Sequence, residues 1–288
     1  MKWNELVLQI SLYGPVRRAY AVLRRTPILG SLLRHLIRGG IPAKTYVWLR
    51  ISGGLGQGLW AHLDPRFETD YSGGEYEPRI QQALSQYLKP GSVFYDVGAH
   101  IGIVSLFAAR IVGRNGEVFA FEADPDNAER IEEHARRNMF DQIQVVPRAV
   151  WSSGGRLRFE RASAQSSRNQ GALARDPTVS SANTIEVEAV ALDDFVQQHK
   201  LPTLVKIDVE GAEAGVLQGS ERTFAQSKPV LICEVHSGQA ADDVTRWLRD
   251  RAYTIEWLGN PIKFPCHLMA RPENGGLLPA STALLTSC

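Results

Sequence analysis

Between residues 93 and 251 short apolar runs alternate with longer amphipathic ones, and this constrains the fold more than any other feature of the chain. Residues 93–96, 117–121, 143–146, 203–208 and 230–235 are the short runs, rich in Val, Ile, Phe and Leu. Strands this short and this apolar are buried on both faces, as parallel strands under helices are. Residues 101–111, 125–138, 192–199, a stretch from Ala212 onward and 239–251 have helical spacing between them. Pro125 stands where a first helical turn accepts proline. Residues 253–257 and 264–269 add two last strands. The alternation predicts an α/β fold, a mostly parallel seven-stranded sheet with helices on both faces.

Two segments stand outside it. Residues 45–63 read as one or two strands around the Gly-rich stretch 52–58, and the polar loop 64–77 leads to a helix that ends at Lys89, before Pro90-Gly91. At 151–190 the alternation breaks: 156–160 and 184–189 read as strands around 161–181, rich in Ser, Ala, Arg and Gln. A loop of that length is mobile or a lid that faces substrate. The predicted domains are a helical extension at 1–44 and one domain at 45–288 with an insertion at about 151–190.

The strand at 93–96 runs into Val97-Gly98-Ala99-His100-Ile101-Gly102, a turn where glycine lets a ligand approach the backbone. The glycine spacing is not G-x-G-x-x-G, and Asp96 stands two residues before Gly98, where its carboxylate would repel a pyrophosphate. That argues against a nicotinamide dinucleotide and for S-adenosylmethionine, which has no phosphate. Glu122, at the end of the next strand, is placed to accept hydrogen bonds from two ribose hydroxyls. Ala149 and Val150, after the third strand, are placed to touch the adenine.

The fourth strand ends in Lys206-Ile207-Asp208-Val209-Glu210-Gly211-Ala212-Glu213. With residues 95–102, 121–126 and 234–236, this motif resembles the FkbM-type family of class I methyltransferases over roughly residues 75–236. Gly74-Glu75-Tyr76-Glu77 also resembles a segment that precedes the first motif in that family, which adds Glu77 to the donor contacts. The resemblance implies a Rossmann-like class I fold and S-adenosylmethionine as cofactor. It further implies O-methylation of a hydroxyl on a sugar, glycan or natural product. It maps Asp96, Gly98, Ala99 and Gly102 to the donor turn and Glu122 to the ribose acid, and it tolerates His100, read here as lining the donor pocket, where the general class has glycine.

Ligands collect at the carboxyl ends of parallel strands, which bear Asp208, Glu210, Glu234 and His236. Two routes to an activated hydroxyl suit them. In one, His236 is the general base, its ring oriented by Glu234 or Asp208. In the other, carboxylates and His236 hold a divalent cation, with Asp208, Glu234 and His236 as ligands; a metal is not expected. Lys206, on a buried strand, needs Asp96 or Asp208 as a partner. The competing reading is a non-catalytic binding or scaffold protein on the same fold.

The net charge of +1 gives no electrostatic case for nucleic acid. Its distribution is uneven. Residues 1–50 carry nine Lys and Arg against Glu5 alone, a net +8 that leaves −7 on the remainder. Basic amphipathic helices in that arm suit a membrane surface, or pack on the catalytic domain or on a second subunit. Three cysteines at no metal-like spacing, with no apolar run of spanning length, predict a cytoplasmic protein, in reach of the inner face of the membrane. The acceptor is expected to be a small molecule or glycan, with the arm and residues 161–181 facing it.

Overall fold

The computed structural model describes residues 45–161, 171–173 and 183–273. The basic arm and most of the expected lid lie outside the described residues.

The first strands, β1 (Val47–Arg50) and β2 (Trp60–Leu63), form the antiparallel pair read around the glycine-rich turn. Helix α1 (Pro78–Tyr87) follows. The alternation then runs through β3 (Val93–Val97), α2 (Ile103–Val112), β4 (Glu117–Phe121), α3 (Pro125–Asn138) and β5 (Ile143–Val146). The insertion supplies β6 (Ala149–Val150), β7 (Gly155–Arg161), β8 (Gly171–Leu173) and β9 (Thr184–Val190). After it come α4 (Leu192–Phe195), β10 (Leu204–Ile207), α5 (Glu213–Gln218), α6 (Glu221–Ser227), β11 (Val230–Val235), α7 (Gly238–Arg249), β12 (Tyr253–Trp257) and β13 (Cys266–Pro272).

Seven strands make one sheet in the order β12-β13-β11-β10-β3-β4-β5. All pairs are parallel except those of β13, antiparallel to both neighbours. Every residue of β3 and β10 is buried, which is why these strands read as unbroken apolar runs. Strand order reverses between β3 and β10, and such a switch point opens the crevice where a doubly wound sheet binds its ligand.

Most boundaries shift by a residue or two from the sequence reading, and the helix read from Ala212 is two, α5 and α6; three further departures have a local cause. The helix read to His199 ends at Phe195, because the Gln197 and Gln198 amides bond three residues back, a tighter turn than α. The last strand begins at Cys266, since Pro265 has no N–H to give a ladder. Residues 161–181, read as loop, contain β8, paired with β7 in the four-stranded sheet β6-β9-β7-β8.

The β1–β2 pair is fastened to α3 through a buried histidine. His134 Nε2 accepts the His62 backbone N–H at 2.7 Å, and its Nδ1 donates to the Ile101 carbonyl at 2.8 Å. Those partners fix the neutral tautomer. Burial, reinforced by the Arg130 guanidinium, lowers the imidazole to about 3. The unfolded chain takes up this proton below about 6.5 and the native one does not, so stability falls with pH from there to about 3. The slope attributable to His134 approaches about 1.4 kcal/mol per pH unit. Urea unfolding of a His134→Asn variant is expected to show lower stability at pH 7 and a flatter decline on acidification. An equally steep decline would assign the acid lability elsewhere.

Candidate functional site

The β3–α2 turn is built around Gly98. Its φ is +75° and a Cβ there would lie 1.8 Å from the Asp208 carbonyl oxygen, so glycine permits both the turn and the contact with the end of β10. The Gly98 and Ala99 amides both donate to the Phe121 carbonyl, and the Asp208 amide donates to Val97. Turn, β4 end and β10 end are thereby tied together. Gly102 serves packing instead: a Cβ would lie 2.9 Å from Ile131 of α3.

Around this turn opens a pocket with about 640 Å³ of empty space, part of it open to solvent. Gly98, His100, Glu122, Ala149, Val150, Asp208 and Glu210 line it, seven of the positions singled out from sequence. Glu122 is buried, and its two oxygens accept the His100 and Asp124 amides at 2.7 and 2.8 Å. Burial pushes its carboxyl up to about 8 against the pull of those donors. Each oxygen retains acceptor capacity for a ribose hydroxyl. Ala149, Val150, Phe159 and Leu173 give the pocket an apolar side. Apolar wall, buried acid and tight glycine turn together fit the adenosyl half of a sulfonium donor.

Asp96 is not among the lining residues. It is fully buried, with Ser105 Oγ donating to one oxygen at 2.6 Å and Lys206 Nζ 3.3 Å from the other. Lys206 Nζ is also 3.3 Å from Asp208 Oδ2, so both expected partners are present. Register explains the first pair: Lys206 stands directly opposite Asp96 on adjacent strands. Despite the desolvation of burial, the two carboxylates raise the ammonium further above its ordinary value.

The remaining residues gather on the β10–β11–β13 side. His236 Nδ1 is 2.6 Å from Glu213 Oε1, which also accepts the Gly211 amide. Its Nε2 faces Glu210 at 3.3 Å, Glu234 at 3.7 Å and Asp208 at 3.8 Å. The orienting partner is therefore Glu213, where sequence reasoning named Glu234 or Asp208. Glu213, fully buried at the start of α5, reaches the Nδ1 side, whereas the strand-end acids meet the opposite nitrogen. Burial disfavours the imidazolium, but the Glu213 hydrogen bond and surrounding carboxylates outweigh it and bring His236 up to about 9. Burial and the neighbouring Asp208 charge raise Glu234, whereas Lys206, a hydrogen bond from Glu234 and the histidines outweigh burial to lower Asp208. One proton is thus held by Glu234 against an ionised Asp208.

Asp208, Glu234 and His236 offer ligand atoms within 4.8 Å of one another, the set named above for a divalent cation. Glu77 lies on this side: its carboxylate is 4.0 Å from His267, whose other nitrogen is 3.9 Å from Glu234. His267 drew no notice in the sequence because it lies on a terminal strand. Only the β11–β13 register sets it opposite Glu234.

A parallel sheet with one antiparallel strand second from its edge, and an acid-flanked glycine turn at its switch point, together define a Rossmann-like methyltransferase. The Methyltransferase FkbM domain model matches residues 96–255, and the chain belongs to that family. The hexuronic acid methyltransferase AglP of Haloferax volcanii is 29% identical over 202 residues, 69% of this chain and 74% of the relative. The 2-O-methyltransferase NoeI of Sinorhizobium fredii is 26% identical over 194 residues, 60% of this chain and 77% of the relative. A solved FkbM methyltransferase from Methylobacillus flagellatus has a TM-score of 0.46 at 19% identity, covering 66% of this chain and 50% of that one. Use of S-adenosylmethionine follows from the family. Among the described residues no helix is long and apolar enough to cross a membrane.

Proposed function

We propose that this chain moves a methyl group from S-adenosylmethionine to a hydroxyl of a sugar or glycan, with His236 taking the hydroxyl proton. One observation carries the reading: Asp208 lines the donor pocket and also faces His236 Nε2 at 3.8 Å, so the two halves of the site share a residue. The name of AglP supports a sugar acid as the class of acceptor, and the name of NoeI, a 2-O-methyltransferase, supports oxygen as the atom methylated.

The sulfonium supplies an activated methyl and its own leaving group, which leaves alignment and proton removal to the protein. Glu122 holds the ribose. Asp208, kept anionic by Lys206, stands between donor and acceptor and receives the acceptor hydroxyl as a hydrogen-bond acceptor. Glu213 engages Nδ1, so that Nε2 is the nitrogen that takes the proton. The surrounding carboxylates then stabilise the imidazolium that forms.

The spacing of Asp208, Glu234 and His236 favours a second reading, in which a divalent cation lowers the pKa of the hydroxyl. Labelled-methyl transfer to hexuronate and neutral hexose acceptors, before and after exhaustive chelation, separates the two. Incorporation that chelation leaves unchanged is the expected result. A loss restored by Mg²⁺ or Mn²⁺ would replace the base by the cation. Incorporation into neither class of acceptor would count against the sugar assignment.

A further inference from the structure

The insertion interrupts the alternation, and residues 161–181 were expected to face the acceptor. Of that stretch the described residues are 161 and 171–173, and Gly171 and Leu173 line the pocket around Gly98 and Glu122. Strand β6 continues from the end of β5 and pairs with β9, so the four-stranded sheet grows out of the rim of the donor pocket. Ala149, Val150, Phe159, Gly171 and Leu173 of this sheet all line the pocket that holds Gly98 and Glu122. Gly171 lies against the Phe159 ring so closely that a Cβ would come within 2.3 Å of it. The β7–β8 edge therefore packs as a wall.

One side chain ties this wall to the parallel sheet. Arg161, at the end of β7, donates from Nε and Nη2 to the two oxygens of Asp124 at 2.7 and 2.6 Å. Its Nη2 also lies 2.6 Å from Asp126. Asp124 is buried, caps α3 by accepting the Asp126 amide, and donates its own amide to Glu122. A guanidinium fork on a buried carboxylate is among the more rigid side-chain contacts available. The fork thus acts on the segment that bears the ribose acid, two residues from Glu122.

We propose that the four-stranded sheet is the adenosine-side wall of the donor site, and that the Arg161 fork seats it there through Asp124. Arg161 is a positioning residue: it fixes where Phe159 and Leu173 stand relative to Glu122. The proposal rests on the donor reading given above.

Calorimetry on the full chain with S-adenosylhomocysteine and with 5′-methylthioadenosine, which lacks the amino-acid half, tests it. Arg161→Ala is expected to weaken both ligands by the same factor, roughly tenfold or more, the change that loss of a charged hydrogen bond brings. Arg161→Lys, a cation without a fork, is expected to fall between that variant and the parent. In turnover assays Arg161→Ala raises the donor KM, leaving kcat at saturating donor and the acceptor KM in place, a split that general loosening would not give. Leu173→Ala trims the wall without touching the fork and is expected to weaken both ligands too. It decides the matter if Arg161→Ala does not fold. Parental affinities in both alanine variants, or a loss confined to S-adenosylhomocysteine, would overturn the proposal. Absence of binding by the parent chain would instead remove the donor reading.

Discussion

A His236→Gln variant is expected to turn over on the order of 10²–10⁴-fold more slowly than the parent, the range that a positioned general base contributes. Its affinity for S-adenosylhomocysteine should stay at the parental value. Glutamine is the informative replacement because its amide can still donate to Glu213. The loss then reports the missing basic nitrogen and not an orphaned buried carboxylate. The pH profile is the second reading of the same experiment. With His236 at about 9, the nitrogen that must accept a proton is already protonated at neutral pH in the free site. Activity should therefore rise with pH as that proton leaves. The acidic groups that face the ring are Asp208, Glu210, Glu213 and the proton-holding Glu234, with Lys206 and His267 behind them. A cationic donor beside those carboxylates offsets them and lowers the imidazole. The ascending limb of kcat/KM for the acceptor, measured with donor bound, should accordingly lie below pH 9. In His236→Gln this limb should vanish. Parental turnover in the variant, or an unchanged limb, would remove His236 as the base.

Gly98→Ala carries the second large effect, and it acts through geometry alone. The added Cβ would fall 1.8 Å from the Asp208 carbonyl oxygen, and it would do so at φ +75°. A backbone atom cannot rotate away as a side chain can, so either the β3–α2 turn or the end of β10 must move. Positive φ costs an alanine about 1 kcal/mol before any clash is counted. Displacement of the turn withdraws the His100 amide from Glu122, and displacement of β10 shifts Asp208 away from His236. Donor affinity and turnover are both expected to collapse, together with a lowered unfolding midpoint. An adjacent Ala99→Gly change, which adds no atom to the turn, should leave far more of both. Donor binding by Gly98→Ala at the parental level would mean that the turn is not part of the pocket's frame.

The parts of this molecule that could be read from the sequence are those in which a residue's environment follows from its neighbours in the chain. Strands β3 and β4 are buried on both faces, and their apolar runs say so. Pro125 at the start of α3 and Gly98 in the turn have backbone requirements that few residues meet. Glu122 follows a strand directly and so falls at the pocket without further information. The unread parts depend on contacts between distant segments. Glu213 and His236 are 23 positions apart and meet only because α5 starts beneath the end of β11. Asp96 looked like a ligand contact because it borders the glycine turn, yet its side chain points to Ser105 and Lys206. Strand β8 is Gly-Ala-Leu, with no alternation to mark it, and its place is set by Phe159 and the β7 ladder. Glu77 entered through the resemblance alone, and its carboxylate stands beside His267, which in turn approaches Glu234.

On the reading proposed above, a methyl donor sits between the Gly98 turn and Glu122, and the His236 cluster serves the acceptor. Calorimetric titration of three chains with S-adenosylhomocysteine tests that division most directly. The parent and His236→Gln should both give saturable one-to-one binding with the same affinity, and Gly98→Ala should give none. No binding by the parent, or equal loss in the His236 and Gly98 variants, would contradict it.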